Sequence, residues 1–463
     1  MMNPRRVRNE YGVPWLRSAR FGLLLAGIFL LAAFIVVLVY GQRPAEAPAI
    51  EQGLEQLAAE TPAPAPKEMV DFLMADLDHG WIQYSDGAKA FTEDGGLHWQ
   101  NEASGLTEEI LAGNEAWIEL LNVERKLEKV AYASKEIPVK HSQFLTDRIG
   151  WVLLSNDAEL RKPLLVTIDG GKTWTSEVTP EVRGAMQEEK SRLQQMGEEA
   201  ALYASMANAK FAIRSKWVII PDTAAPGDVV LVRHDQPGEV KWLEKPYTLQ
   251  PFGAGYYAYL PIPIQIKPGE YPIGEALLTI QDKKFDTQYI QVTKQMENMR
   301  QDTQRIQADQ RKIDLARSKS ESEFLFSSAF IQPVEGILTT PYGYTRYVNG
   351  KYDSSHRAID LAAKEGTPVK ATNDGIVALA DSLYLTGNSI YIDHGMSLFS
   401  QYAHLSELRV KEGDRVKRGD TIGLVGSTGF STGPHLHFTF WAHNVPVNPN
   451  LFFNTTPFHW LRQ

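Results

Sequence analysis

The stretch Gly426-Ser-Thr-Gly-Phe-Ser-Thr-Gly-Pro-His435-Leu-His437-Phe438 decides how the last quarter of this chain is read. A loop of small residues runs into an apolar–polar alternation. His435 and His437 stand two apart, so on a strand their imidazoles project from one face. Two earlier clusters, His356-Arg-Ala-Ile-Asp360 and Tyr402-Ala-His404, offer the same side-chain types. Residues i and i+4 of one strand also share a face, which predicts that His356 and Asp360 converge by strand alternation. Tyr402 would share the face of His404 by the same rule and is assigned no role. Seven of the eleven histidines follow residue 355, and the chain has no cysteine. With thiolates excluded, a metal here must be held by imidazole and carboxylate. That donor set suits Zn²⁺ in an open, three-ligand catalytic site whose fourth position takes water. Taken singly, each cluster reads as a packing or turn histidine; together, between residues 356 and 437, they argue for one site. His394 and His443 read as turn residues, and His79, His98, His141 and His234 have no partner pattern.

Several further motifs fall in order around these clusters: Pro341-Tyr-Gly343, Asn349-Gly350, Gly366-Thr-Pro-Val369, Gly387-Asn388, Asp393-His-Gly395 and Gly413-Asp-x-Val416. With the His/Asp clusters they make residues 333–453 resemble the LytM/lysostaphin family of zinc metallopeptidases. The resemblance implies an antiparallel β-sheet domain over 325–463 holding one Zn²⁺. It implies His356, Asp360 and His437 as metal ligands, with His404 and His435 as catalytic residues beside the water held by the metal. The implied activity is endopeptidase cleavage of peptidoglycan, in stem peptides or cross-bridges. Two positions depart from the family: Ala358 stands where glycine is usual, and Thr439 where glutamate usually follows His-x-His-Phe. Neither supplies a ligand or base, so activity is expected, but the absent glutamate bears on what supports the site from behind. Two other readings compete. One is a non-catalytic wall-binding or partner-activating module, against which the full set of site residues speaks; the other is a protease acting on proteins at the membrane surface. The hairpin Val410–Gly423 is similar to those of biotinyl and lipoyl carriers, yet no lysine flanked by methionine sits at its tip. It reads as part of the peptidase core.

Outward from this region, the chain reads as a mainly β, multidomain protein. Its 463 residues exceed one ordinary core, and the net charge of −9 gives no basic footprint for nucleic acid. Phe21 to Tyr40 contains no charge, and Arg5, Arg6, Arg8, Arg17 and Arg20 precede it. This predicts one transmembrane helix over 21–41, with residues 1–20 in the cytoplasm and the catalytic domain outside a bacterial cell membrane. The alternative is a cleaved signal segment ending near Ala45-Glu-Ala47; the apolar stretch is longer than a signal core, which favours an anchor. Residues 42–66 are a Pro/Ala-rich linker. Residues 67–178 read as a β region containing two related pieces, Thr92-Glu-Asp94-Gly-Gly96-Leu-His98-Trp99 and Thr167-Ile-Asp169-Gly-Gly171-Lys-Thr-Trp174. Both resemble Asp-box hairpins, the first departing at His98, and their plainest role is to stabilise turns. A helical segment over 179–216 follows, then an immunoglobulin-like β-sandwich over 217–293 with Phe285–Val292 as its last strand, then a helical linker over 294–324 with one thin apolar stripe. The polar helices at 181–216 and 294–322 are candidates to hold a regulatory protein partner or to hold the active site shut.

Overall fold

The computed structural model describes residues 67–105, 107, 125–155 and 162–462. The expected transmembrane segment 21–41 and the linker 42–66 lie outside the described residues. Among the described residues no helix is long and apolar enough to cross a membrane.

The first β region forms two antiparallel sheets. Met69–Met74, Gly80–Tyr84 and Lys89–Thr92 make one; Lys129–Tyr132, Lys135–Phe144, Gly150–Leu154 and Leu164–Thr167 make the other. The two repeated pieces build the same turn. Asp169 Oδ1 accepts from the Thr173 amide at 2.9 Å and Oδ2 accepts from the Thr173 hydroxyl at 2.6 Å. In the earlier copy Asp94 Oδ1 accepts from the His98 amide at 2.9 Å, while His98 Nδ1 lies 2.6 Å from Oδ2. An imidazole N–H thus takes the place of the hydroxyl, which is how this copy tolerates its departure from the pattern.

Thr179 caps the helix Pro180–Ala200 by accepting from the Val182 amide at 3.3 Å. That helix packs on a four-stranded sheet of Trp217–Ile220, Val229–His234, Gly255–Pro261 and Gln250–Phe252. Val230, Val232 and Leu260 face Ile273, Leu278 and Ile280 of a second sheet. The alternate residues Val229, Leu231, Tyr257 and Tyr259 face the other way, into a core shared with Met196 of the helix and Phe330, Phe438 and Phe440 of the C-terminal region. Burial on both faces is why Val229–Val232 is an unbroken apolar run. A buried ion pair pins the helix to this sheet: Arg233 Nε donates to Glu199 Oε1 at 2.6 Å, and the Tyr257 hydroxyl donates to the same oxygen at 2.5 Å.

The strand expected to close the sandwich does not join it. Thr287–Ile290 pairs in parallel with Thr345–Val348, placing Gln288 opposite Arg346. Alternation in sequence signals a strand and its faces, but not which neighbour it pairs with. The C-terminal region is built on one antiparallel sheet in the order Ile337–Thr340, Ile359–Ala362, His435–Ala442, Leu398–Leu405, Gly387–Asp393, Gly375–Leu383 and Arg415–Val416. Behind it, helix Thr303–Arg317 lays Ile313 and Ala316 on Leu379, Leu383 and Tyr391. This is the thin stripe read from the sequence.

Candidate metal centre

Pairing across the sheet sets the centre. Asp360 lies directly opposite His437, and His437 directly opposite Ala403, so three adjacent strands present one row on one face. His435, two residues before His437, shares that face as alternation requires. His356 reaches the row by another route than expected. It follows the strand Lys351–Ser355 and precedes Ile359–Ala362, so it sits in the connection and not on the strand of Asp360. The two side chains do converge, but through the shape of this connection: the His356 amide donates to Tyr344 O, and its carbonyl accepts from the Gly343 amide, both at 2.7 Å.

His404 arrives by a bulge. Regular alternation from Tyr402 would put His404 on the face away from His437. Instead Ala403 and His404 together oppose the single Ser389, and His404 has a φ of +63°. This left-handed residue swings its ring onto the metal face, 4.9 Å from the ring of His435 and 5.7 Å from that of His437. A non-glycine residue there costs roughly 1–3 kcal/mol and persists only when its surroundings over-determine it. They do: its amide donates to Thr386 O and its Nδ1–H to Thr428 O, each at 2.8 Å. Tyr402 consequently points away from the site. It is fully buried, and its hydroxyl accepts from the Thr372 amide at 2.8 Å. His394 is likewise structural, its ring held between Asp374 O and the Ser400 hydroxyl.

The donor atoms fit a tetrahedral metal. Asp360 Oδ1 is 3.1 Å from His356 Nε2 and 2.9 Å from His437 Nδ1, and the two nitrogens are 3.3 Å apart. Ligand bonds of ~2.0–2.1 Å give a tetrahedral edge of about 3.3–3.4 Å, so these three atoms are close to one face of such a polyhedron. The ring tautomers also fit. A carbonyl oxygen only accepts, so the contacts His404 Nδ1–Thr428 O and His435 Nδ1–Gly433 O, both 2.8 Å, put a proton on Nδ1 of each ring. Nε2 is then the second ring nitrogen of each, and that of His435 lies 3.9 Å from Asp360 Oδ1.

Burial dominates the electrostatics. It pushes His404 down to about 3, helped by His437 and His435 beside it, and His356 down to about 4 against the opposing pull of Asp360. Both rings are therefore neutral near pH 7, the form that binds a metal or takes up a proton. Burial alone would raise Asp360, but hydrogen bonds to His356 and His437 hold it far below the usual carboxylate range. One partner was not foreseen from sequence: Arg346 Nη2 donates to Asp360 Oδ2 at 2.8 Å, so that Oδ1 is the oxygen turned to His356 and His437. Arg346 Nε in turn donates to Gln288 at 3.1 Å. No local motif marks this arginine, because it acts across two strand pairings. Thr439, on the same face of the strand as His437, donates to Arg357 O at 2.8 Å and so pins the connection that carries His356.

Over the row runs an open groove of about 620 Å³. Residues 288–292 form one wall, and Leu385, Thr386 and Phe430 to Pro434 the other. No residue of 294–322 lines it, although Arg300 of that segment stands over the ring of Phe430 in its wall, 5.8 Å from the centroid.

A β-borne carboxylate and two imidazoles at metal-ligand spacing, with two further imidazoles over an open groove, have the parts of a hydrolytic metal site. The comparisons with known proteins agree: residues 354–449 match peptidase family M23, and the C-terminal part of the chain is a Peptidase M23 domain of the LytM/lysostaphin type. A Buchnera aphidicola protein described as an uncharacterized metalloprotease is 46% identical over 99 residues, 21% of this chain and 26% of that one. The peptidoglycan DD-endopeptidase ShyC of Vibrio cholerae is 43% identical over 95 residues, 20% of this chain and 22% of that one. A solved peptidase M23 structure from Pseudomonas aeruginosa is 26% identical, with 50% of this chain and 95% of that one covered at a TM-score of 0.37. The chain spans about a quarter of the length of the curated relatives it matches.

Proposed function

We propose that this chain is a membrane-anchored, extracytoplasmic zinc metalloendopeptidase that hydrolyses peptide bonds of peptidoglycan, in the stem peptide or the cross-bridge. The observation that carries the proposal is the triangle of Asp360, His356 and His437 donor atoms, 2.9–3.3 Å on a side, beneath an open groove. Relatives named as peptidoglycan DD-endopeptidases support the substrate class. The uncharged run Phe21–Tyr40 behind its arginines supports the anchor and the outward orientation.

His356 Nε2, Asp360 Oδ1 and His437 Nδ1 would hold the ion. When bound there, Zn²⁺ supplies Lewis acidity, polarising a carbonyl and making water nucleophilic near neutral pH. The chain's own groups do the rest. His404 and His435 flank the row with Nδ1 of each ring turned to a backbone carbonyl, which leaves Nε2 of each to take a proton from attacking water and return it to the departing amine. Once protonated, the same N–H donates to the developing oxyanion. Arg346 orients Asp360, and the walls of the groove hold the peptide across the row.

The test is zinc content and wall-digesting activity of the full chain, alongside His437→Ala and chelator treatment. One bound zinc, with hydrolysis lost in the variant and with chelator, supports the proposal. Zinc without hydrolysis would favour a wall-binding or partner-activating module. Soluble products released from an unfolded protein but never from purified wall would redirect the activity to proteins at the membrane surface.

A further inference from the structure

One wall of the groove is an unpaired strand edge. Thr287–Ile290 is the outer strand of its three-stranded sheet, and its single partner is Thr345–Val348. The Thr345 amide donates to Asp286 O and the Asn349 amide to Ile290 O, so the even-numbered residues 286, 288 and 290 turn their backbone groups to that partner. In a pleated strand the odd-numbered residues must then turn theirs the opposite way. The N–H and C=O of Thr287, Tyr289 and Gln291 point outward, and no other described strand pairs with them.

Two features separate this edge from an ordinary exposed one. Natural sheets blunt free edges with proline, lysine or a covering segment, because an unpaired ladder captures other chains. Here Phe285 to Val292 contains neither proline nor lysine. Residues 288–292 also line the groove that holds Asp360, His404, His435 and His437. A short chain of side chains ties the edge to the metal row, since Gln288 accepts from Arg346 and Arg346 donates to Asp360. The strand lies upstream of the matched family region at 354–449.

We infer that the free edge of Thr287–Ile290 is the substrate rail: the wall peptide binds in extended form and adds as a strand to it, exchanging hydrogen bonds with Tyr289 and Gln291 while its scissile bond lies over the metal row. The inference rests on the endopeptidase reading and gives that site its mode of substrate recognition. Main-chain pairing supplies binding with little regard to side-chain identity. It also assigns the segment before the helical linker a part in binding peptide.

Proline distinguishes the two faces of the strand. At Tyr289 or Gln291 it removes an outward N–H while leaving the ladder to Thr345–Val348 its donors, and edge positions of this kind tolerate it. With soluble cross-linked muropeptide as substrate, the zinc-loaded full chain carrying Tyr289→Pro or Gln291→Pro should show KM raised about fivefold, the worth of one hydrogen bond, with kcat and zinc content retained. A second measurement does not depend on these variants folding. In His404→Gln, used to slow turnover, adding the same muropeptide should slow amide exchange at Tyr289 and Gln291 and leave Gln288 and Ile290 unchanged. Cleavage by the parent chain, with KM unchanged in folded proline variants and exchange at both amides unaltered, overturns the rail while leaving the enzyme standing. No cleavage by the parent chain sinks the endopeptidase reading, whereas protection of the two amides would still establish the edge as a peptide-docking site.

Discussion

Replacing Arg346 by methionine should loosen the metal without touching a ligand. The guanidinium is about four-fifths buried and donates to Asp360 Oδ2 at 2.8 Å, holding the carboxylate so that Oδ1 faces His356 and His437. Methionine keeps much of the apolar stem and removes the fork, so the change isolates the charge-assisted bond. Such a bond contributes ~1.5–3 kcal/mol, which corresponds to a loss of zinc affinity of roughly 10–100-fold. That range is also typical of groups that orient metal ligands from behind. Gln288 does not compensate, because its carbonyl accepts from Arg346 and its amide donates to the Thr340 hydroxyl at 3.0 Å. Competitive titration of the full chain with a zinc chelator reads the affinity, and denaturant unfolding of the metal-free form controls for general damage. Zinc affinity within about threefold of the parent, in a variant that folds normally, would refute the assignment of Arg346 as the residue that orients Asp360.

A Cβ on Gly387, whose φ is +62°, would lie 2.2 Å from Thr428 Oγ1 and 2.5 Å from its carbonyl. Gly387→Ala should therefore displace the segment whose oxygen holds His404, lowering kcat in wall digestion while zinc content is retained. Removing one partner of the buried Glu199–Arg233 pair leaves an uncompensated charge, so Glu199→Ala should lower stability by about 3–5 kcal/mol in denaturant unfolding. The double change Glu199→Leu with Arg233→Met should recover much of that loss, and failure to do so would show that the Tyr257 and Ala254 contacts to Glu199 dominate. Burial lowers His394 from 6.5 to about 4, so protons favour the unfolded chain between those values. Its contribution is present in full above pH 6.5 and is lost as pH falls through 4. The metal-free protein should lose stability across that window, and His394→Asn should flatten part of the slope.

Much of the site was legible before any fold was known, and the reasons are local. The absence of cysteine left imidazole and carboxylate as the metal donors. His435 and His437 had to share a face on any strand, and they do. The convergence of His356 and Asp360 was anticipated for a reason that does not hold, since His356 lies off the strand and is placed by the connection that Gly343, Tyr344 and Thr439 shape. Thr439, a departure from the family pattern, turns out to pin that connection through Arg357 O. Arg346 and the edge of Thr287–Ile290 were invisible because their meaning lies in pairings with distant strands.

Period-two alternation and residue chemistry are written in the sequence, because each depends only on neighbours along the chain. They determined the donor set, the shared face of His435 and His437, the β character of the C-terminal region and the apolar stripe of Thr303–Arg317. The tertiary structure decided the rest. Which strands lie side by side, and so which residues oppose Asp360, depends on how whole sheets bury their faces. The left-handed turn of His404 is held by contacts to the distant Thr386 and Thr428, and the free edge beside the metal row exists because Thr287–Ile290 pairs with the peptidase strand and not with the sandwich. These are outcomes of packing between segments far apart in sequence, which no local pattern encodes.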